Sequence, residues 1–209
     1  MNGKLIVISG FSGSGKGTIV DNILKKREDI ALSISCATRE KRKKEIDGVH
    51  YFFITKDKFE DMIKHEELLE YAKYADNYYG TPKKYVLDKL SKNINIILEI
   101  EQQGALQVKN MYEEAILIFI TTKDFTTLKN RLTGRGTENE QTLINRFNMA
   151  LSEAEVANKY DYILVNDTIE ETVDTIIGII DEKIIDIDNN SNLQIINNIK
   201  EDIRRYLNV

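Results

Sequence analysis

A run of glycines and serines, VISGFSGSGKGTIV, lies between two apolar segments near the start of the chain. Within it, Gly10, Gly15 and Lys16 have the spacing G-x-x-x-x-G-K. Glycines let consecutive backbone N–H groups curl inward around an anion, and the following helix adds the positive end of its dipole. Lys16 would then meet the β- and γ-phosphates of a nucleotide. The stretch therefore predicts a phosphate site formed by consecutive residues: Gly10, Phe11, Ser12, Gly13, Ser14, Gly15, Lys16, Gly17 and Thr18.

The residue after this lysine departs from the usual pattern. Gly17 stands where a Ser or Thr hydroxyl would ligate Mg²⁺, and Thr18 follows with a hydroxyl that could reach the α-phosphate. Mg²⁺ would then be held mainly by water and by nucleotide oxygens. A glycine-rich turn with an incidental lysine is the alternative interpretation. The strand-like segment before the loop and the helix-like segment after it favour phosphate binding.

The surrounding segments predict the frame that positions this loop. Four nearly continuous apolar runs are typical of buried parallel strands: 4–9, 94–100, 115–121 and 162–166. Helical patterns lie between or after them, at about 16–26, 81–90, 124–133, 139–157 and 169–183. Thr81 and Pro82 are predicted to be the N-cap and first residue of one of these helices. Strands alternating with helices indicate an α/β fold, with a parallel sheet flanked by helices.

Residues 35–80 interrupt this alternation with a polar, basic stretch and the Tyr-rich segment LLEYAKYADNYYG, which alternates as strands do. We therefore predict an inserted subdomain here. From Asp186 the chain is rich in Asn and Asp and then periodic again in LQIINNIKEDIRRYL. This pattern predicts a surface helix that packs on the core, and a partner-binding helix is the alternative.

Composition argues against several classes of protein. The net charge of −5 argues against a nucleic-acid binder, which usually has a basic surface. Because the sequence contains neither a bilayer-length apolar run nor a signal-peptide pattern, we expect no membrane partner. The single cysteine, Cys36, excludes an internal disulfide and fits a reducing cytoplasm, and with only two histidines a zinc site is not expected.

Further motifs occur in the order and spacing of guanylate kinases: SCATR, EIDGVHYFF, LLEYAKYADNYYGTP, LEIEQQG, RLTGRGTE and VND. With the glycine loop they cover nearly all of 4–168, so the chain resembles that family, which phosphorylates GMP with MgATP to give GDP and ADP. The resemblance implies a P-loop kinase core at 1–34, 82–124 and 158–209, a GMP-binding subdomain at 35–81, and a helical lid at 125–157.

The resemblance implies a clamp on the phosphate of GMP. Arg39 and Arg42 match its arginines, and Tyr51 and Tyr79 match its tyrosine hydroxyls, while Glu45 matches a carboxylate near the metal and GMP. Guanidinium forks suit phosphate oxygens. Because the attacking phosphate oxygen is already ionised, the site needs positive charge and positioning rather than a general base. Without the resemblance, the basic stretch that contains Arg39 and Arg42 would indicate a solvated basic loop.

The resemblance also implies a guanine pocket. Guanine presents two donors, N1–H and the N2 amine, which one carboxylate can accept together. Glu70 matches the family residue that does so, Ser35 matches the hydroxyl directed at O6, and Thr81 is assigned to the same GMP site. Glu99 and Glu101 end an apolar strand, where the family usually has Asp. We assign Glu101 to GMP and Glu99 to the water shell of Mg²⁺.

Three further arginines match the lid of the family. Arg131 and Arg135 lie one helical turn apart and match arginines over the ATP phosphates, and Arg146 matches one that meets the transferring group. Asn166 matches the contact to the adenine edge, although a turn residue after a strand is the alternative. The predicted catalytic set is Lys16, Arg39, Arg131, Arg135 and Arg146.

Two other functions remain open. A kinase for another phosphorylated acceptor, such as a ribose bisphosphate, would not need the guanine pocket of Glu70 and Ser35. A non-catalytic guanylate-kinase-like module that binds phosphorylated peptides would lack the loop lysine and the lid arginines, which this chain keeps. We expect ATP and GMP as the small-molecule partners in a cytoplasmic monomer or homodimer, and the use of dGMP stays open.

Overall fold

The computed structural model describes residues 2–74, 76–134 and 140–208. Its strands are β1 Leu5–Gly10, β2 Ile30–Leu32, β3 Cys36–Ala37, β4 Phe52–Phe53, β5 Leu68–Tyr74, β6 Asn77–Pro82, β7 Asn95–Glu99, β8 Ile116–Thr121 and β9 Tyr162–Val165. Its helices are α1 Lys16–Lys26, α2 Lys56–Lys64, α3 Lys83–Ser91, α4 Gln102–Met111, α5 Phe125–Thr133, α6 Glu140–Glu155, α7 Ile169–Ile180 and α8 Asn189–Leu207.

A parallel sheet of five strands forms the centre of the molecule, in the order β2-β7-β1-β8-β9. The four predicted apolar runs are β1, β7, β8 and β9, so the α/β prediction is confirmed. These runs are continuous rather than alternating because helices cover both faces of the sheet. Among the described residues, no helix combines the length and the apolar character that a membrane crossing requires.

The side chains of β1 alternate between the two faces of the central sheet, and each face has its own hydrophobic cluster. Leu5 and Val7 are buried in one hydrophobic cluster, with residues of α3, α4, α5, α6 and α8. Ile6 and Ile8 are buried in a second cluster, with residues of α1 and α7. Since successive side chains of a strand point to opposite faces, the central strand contributes to both clusters and fixes the position of the loop that follows it.

A second sheet of four strands, in the order β4-β3-β6-β5, lies in the region that interrupts the α/β alternation. The Tyr-rich segment forms the antiparallel pair β5 and β6, as its alternation predicts. One predicted helix start is wrong. β6 runs to Pro82, which is itself the N-cap, and α3 begins at Lys83. The Thr81 hydroxyl caps no helix because it donates a hydrogen bond to Glu70.

Helix α8 packs on the core, as predicted for the C-terminal segment. Ile196, Ile199 and Ile203 are fully buried, and their spacing places them on one face of the helix. At the end of the helix, the ring of Tyr206 lies against Phe125 of α5 and Phe147 of α6. The tail thereby supports the two helices that carry the predicted lid arginines.

Truncation of a buried side chain in α8 tests how much this packing contributes. We expect Ile203→Ala to lower the free energy of unfolding by about 2–5 kcal/mol, because it removes buried methyl groups and leaves a cavity. Urea unfolding followed by circular dichroism measures the change. The matched control is Asn197→Ala on the exposed face of the same helix, which should change stability by less than about 0.5 kcal/mol. Equal small changes in both variants would show that α8 does not stabilise the fold.

Candidate active site

The shape of the glycine loop between β1 and α1 depends on two glycines. Gly10 has a φ of +133°, and a side chain there would collide with the backbone of Ile120 on β8. Gly15, the N-cap of α1, has a φ of +97°, which only glycine adopts at little cost. No side chain of the described residues caps α1, so its first N–H groups face the loop without a side-chain acceptor. This end of α1 is suited to bind an anion.

The ammonium group of Lys16 lies over the loop. Its Nζ donates to the carbonyl oxygens of Gly10, at 2.6 Å, and Phe11, at 2.9 Å. The ring of Phe11 is fully buried edge-to-face against Phe119, with ring centroids 5.3 Å apart, so this carbonyl is firmly placed. The charge of Lys16 is thereby held beside the N-terminus of α1, as the sequence motif requires.

Asn166 supports the loop through its side chain, while its contact with the adenine edge stays a prediction. Its side chain is fully buried, and its Nδ2 donates to the Ser14 carbonyl at 2.6 Å. Its Oδ1 accepts a hydrogen bond from the Thr172 hydroxyl at 3.2 Å. Both polar groups are therefore occupied inside the protein. Arg131 adds a second donor to the Ser14 carbonyl, Nη1, at 3.2 Å.

Glu99 and Glu101 lie at the carboxyl end of β7, beside the loop. The two carboxylate oxygens of Glu99 lie 3.7 and 3.8 Å from where a Cβ at Gly17 would stand. These are ordinary van der Waals distances, so the Glu99 carboxylate lies directly beside the start of α1. Partial burial raises the pKa of Glu99, and the charge of Lys16 opposes this rise. Glu101 is the N-cap residue of α4.

Three predicted clamp residues, Glu45, Tyr51 and Tyr79, lie around Arg39. Its Nη1 and Nη2 donate to the two carboxylate oxygens of Glu45, each at 2.6 Å. The guanidinium carbon lies 5.1 Å from the ring centroid of Tyr51 and 5.4 Å from that of Phe53. Tyr79 lies edge-to-face against Tyr51, with ring centroids 6.1 Å apart, and it adds to the rise that Glu45 causes in the pKa of Arg39. This packing holds the guanidinium in place before any phosphate arrives.

The other predicted clamp arginine, Arg42, is placed differently. Its side chain is exposed, while its backbone N–H donates to Glu45 at 2.8 Å. Glu45 thus orients the segment that carries both arginines. Ser35 lies on the same side of the second sheet, and its backbone carbonyl accepts the N–H of Phe52 at 2.9 Å.

The ion pair of Arg39 and Glu45 predicts a pH dependence. Arg39, together with the backbone N–H of Arg42, lowers the pKa of Glu45 from 4.5 to about 2. Because the folded-state pKa is depressed, the pair is fully formed above about pH 4.5 and is lost as the pH falls toward 2. We expect the ¹³C signal of the Glu45 carboxyl to titrate near pH 2, and near its usual value in Arg39→Ala. A midpoint near 4.5 in the unaltered chain would contradict the pair in solution.

Glu70 is a buried acid on β5, with 7% of its surface exposed. Its Oε1 accepts the Thr81 hydroxyl at 2.6 Å. Its Oε2 lies so close to Gly104 that a Cβ there would stand 2.6 Å away, so a larger residue at 104 would displace the carboxylate. Burial raises the pKa of Glu70, Thr81 lowers it, and Glu101 raises it further. The carboxylate is fixed in orientation, as recognition of paired donors requires.

The loop faces a cleft that also includes Tyr51, the residue just before β4. A cleft of about 450 Å³ has walls formed by Gly10, Ser12, Lys16, Tyr51, Glu99, Ile100, Glu101, Met149 and Glu153. A smaller cavity of about 170 Å³ contains Ser35 and shares Tyr51, Glu99 and Ile100 with the first. A cavity of about 490 Å³ beside Cys36 is lined by none of the predicted site residues. The loop, Ser35, Tyr51, Glu99 and Glu101 therefore lie around these two adjoining cavities, whereas Glu70 lines a separate cavity of about 320 Å³.

The helices of the predicted lid place one more cation at the loop and one unexpected acid. Arg146 of α6 donates from Nη1 to the Ser12 hydroxyl at 3.3 Å. Arg135 lies outside the described residues. Sequence reasoning gave no role to Glu153 or Gly104, although Gly104 belongs to the quoted LEIEQQG motif. Arg146 and Glu153 are seven residues apart, which is about two helical turns, so they lie on one face of the helix. This spacing could have identified Glu153 from the sequence.

Comparison with known proteins gives consistent matches over most of the chain. The family model described as guanylate kinase matches residues 2–183. A guanylate kinase of Clostridioides difficile is 47% identical over 85% of this chain and 87% of its own length. One of Caldanaerobacter subterraneus is 44% identical over 91% of this chain and 93% of its own. The crystal structure of guanylate kinase from Anaplasma phagocytophilum is 31% identical, with a TM-score of 0.67, and the match covers 87% of this chain and 86% of that one.

Proposed function

The chain belongs to the guanylate kinase family, and from this membership we propose how its residues share the transfer of a phosphoryl group. Its activity is that of a nucleoside monophosphate kinase, which converts ATP and GMP into ADP and GDP. Two adjoining cavities carry the proposal, because the glycine loop lines one, Ser35 lines the other, and both share Tyr51, Glu99 and Ile100.

The core side of the cleft binds ATP. The amides of residues 10–18 and the ammonium of Lys16 contact its phosphates, and the hydroxyl of Thr18 reaches the α-phosphate. Arg131 already contacts the loop at Ser14, and with Arg135 it covers the phosphates when the region 125–157 acts as a lid. Asn166 holds Ser14 of the loop, and its predicted contact with the adenine edge is part of this proposal.

The second sheet, within the region 35–81, binds GMP. Arg39, Arg42, Tyr51 and Tyr79 hold its phosphate, which requires Arg39 to share its guanidinium between Glu45 and the new anion. We assign recognition of the guanine base to residues in and beside this subdomain: Ser35, Glu70, Thr81 and Glu101. Glu70 accepts the two donors of guanine, and Thr81 orients it.

Mg²⁺ is assigned to the ATP side. The described residues contain no cluster of three or more acidic, His or Cys side chains placed to enclose a metal. The carboxylate of Glu99 beside Gly17 is nevertheless an oxygen donor of the kind that Mg²⁺ prefers, and it can accept hydrogen bonds from the waters of the ion. These residues fit an ion held mainly by phosphates and water. When bound, Mg²⁺ neutralises charge on the phosphate oxygens.

The protein's contribution to the reaction is positioning and positive charge. The GMP phosphate oxygen is already ionised and attacks the γ-phosphorus in line, so no side chain needs to remove a proton. Lys16, Arg39, Arg131, Arg135 and Arg146 offset the charge that builds on the transferring oxygens. Their effect is strongest when closure of the lid excludes water from the cleft.

The cell compartment and assembly also belong to this proposal. We place the chain in the cytoplasm, where its one cysteine, Cys36, stays a buried free thiol. Burial raises the pKa of that thiol to about 11, which disfavours the reactive thiolate. The active form is a monomer or a homodimer, which sedimentation analysis decides.

Two other functions are weighed against this one. A kinase for a ribose bisphosphate would leave the buried Glu70 and its Thr81 hydrogen bond without a purpose at the acceptor site. A non-catalytic phosphopeptide module would not need Lys16 at the loop, or Arg146 beside it. The geometry therefore favours GMP as acceptor.

The direct test is release of ADP from ATP with GMP, AMP, UMP or no acceptor. We expect GMP to support turnover at least about 10³-fold faster than AMP, because a pocket that pairs polar groups rejects bases lacking them. Addition of dGMP to the series settles its use. Turnover with AMP or UMP equal to that with GMP would contradict the guanine pocket.

A further inference from the structure

One buried acid in the cleft has no part in the mechanism above. Glu153 of α6 is only 7% exposed and lines the same cleft as Lys16. Its Oε2 is buried and has no hydrogen-bond partner among the described residues. Burial of a carboxyl oxygen without a partner costs free energy, so such atoms are uncommon in folded proteins. The cost points to a role for this carboxyl in the site.

The helix presents this acid together with Arg146. Arg146, Met149 and Glu153 are spaced three and four residues apart, so they lie on one face of α6. Met149 and Glu153 line the cleft, and Arg146 reaches the glycine loop. The helix is anchored by other buried side chains, Phe147, Ala150 and Ala154. The position of this face relative to the loop is therefore fixed by the core.

Both charged residues act on the same loop residue. Ser12 and Glu153 line the same cleft, and the backbone N–H of Ser12 interacts with the Glu153 carboxylate in a way that favours its charged form. Arg146 donates to the side-chain hydroxyl of Ser12 at 3.3 Å. Ser12 thus connects α6 to the loop through its backbone and its side chain. Because Ser12 lies between Gly10 and Gly13, both with positive φ, the loop has little rigidity of its own here.

The charges around Glu153 come from several elements. Burial raises its pKa to about 7, Lys16 of α1 lowers it, and Glu101 at the start of α4 raises it again. Tyr160, behind the loop, also interacts electrostatically with this carboxyl. Glu153 and Lys16 therefore attract each other across the loop, which favours one placement of the ammonium.

We propose that Glu153 is a positioning residue that fixes the glycine loop at Ser12 and couples it to the helix that carries Arg146. It acts by holding the loop, and with it Lys16, in the geometry that phosphoryl transfer needs. This inference rests on the proposed function, since positioning has a kinetic effect only in an active kinase.

The test compares Glu153→Ala with Glu153→Gln, which keeps an acceptor for the Ser12 N–H. We expect Glu153→Ala to lower kcat about tenfold or more, because a displaced loop misaligns the phosphates, with KM for GMP within about twofold. Hydrogen exchange of the Ser12 amide, followed by NMR without nucleotide, should accelerate in the same variant. Glu153→Gln should restore most of the rate and of the amide protection. The control is Glu155→Ala, an exposed acid paired with Lys200, which should match the unaltered chain in both measurements.

Unchanged protection of the Ser12 amide in Glu153→Ala, or a kcat within twofold of the unaltered chain, would overturn the proposal. If Glu153→Ala does not fold, a kcat below one tenth in folded Glu153→Gln would overturn it as well. A purely structural role would lower the melting temperature without moving kcat of the folded protein. Failure of the unaltered chain to release ADP with GMP would refute the proposed function instead, while the exchange measurement would still test the Ser12 contact.

Discussion

Replacement of Lys16 by Ala is expected to lower kcat by about 10²- to 10⁴-fold, the largest loss among the single substitutions considered. The ammonium lies over the glycine loop, within 2.9 Å of two loop carbonyls, and phosphates bound by the loop would draw it to their oxygens. Without it, charge on the transferring oxygens loses its nearest compact cation. The rate of ADP release at saturating ATP and GMP measures the effect.

The fold should survive this substitution. The substitution removes the hydrogen bonds of Lys16 to the carbonyls of Gly10 and Phe11, but the backbone conformations of Gly10 and Gly15 and the Asn166 contact to Ser14 still shape the loop. Circular dichroism and the melting temperature should therefore stay close to those of the unaltered chain. Lys25→Ala, on the exposed surface of the same helix, is the matched control and should turn over normally. A kcat for Lys16→Ala within threefold of the control would refute the loop assignment.

The second large effect is expected from Glu70→Gln, which should lower kcat/KM for GMP by about 10²- to 10³-fold. In this variant an NH₂ group replaces one carboxylate oxygen. This group would face an N–H donor of guanine, so the site loses a charge-assisted hydrogen bond. The retained side-chain volume preserves the packing against Gly104. Steady-state kinetics with each substrate varied separately measures the effect, and KM for ATP should change less than threefold.

Glu67→Gln supplies the control for Glu70. This acid is exposed and lies just before β5, so the substitution removes the same charge from the same subdomain without touching the pocket. It should leave kcat/KM for GMP within about twofold. Equal losses of GMP and ATP use in Glu70→Gln would show that this residue does not recognise the base.

The sequence predicts most of the fold because the sheet is covered on both faces. Strands buried in this way are continuous apolar runs, and 94–100 or 115–121 can be recognised without tertiary information. The start of α3 could not be predicted correctly. The local signal of Thr81 and Pro82 is that of a helix N-terminus, but the Thr81 hydroxyl is taken by Glu70, eleven residues away in sequence.

Prediction of the site was limited for the same reason, because contacts between residues distant in sequence leave no local signal. The loop is contiguous, so its spacing alone indicates phosphate binding. For Asn166, the pattern after the strand indicated only a turn residue, and the resemblance implied the adenine contact; neither could indicate that the side chain is buried against Ser14. Gly104 and Glu153 act through neighbours distant in sequence, Glu70 and Ser12, and only the three-dimensional arrangement connects these pairs.

The central claim is that one cleft presents two nucleotides to each other, with the triphosphate on the loop and the guanine on Glu70. A crystal structure with an analogue that joins adenosine and guanosine through five phosphates tests it most directly. The account predicts phosphate oxygens within hydrogen-bond distance of the amides of residues 13–18 and of Lys16 Nζ, with guanine N1 and N2 on the Glu70 carboxylate. An analogue bound elsewhere, with no phosphate along Gly10–Thr18, would contradict it.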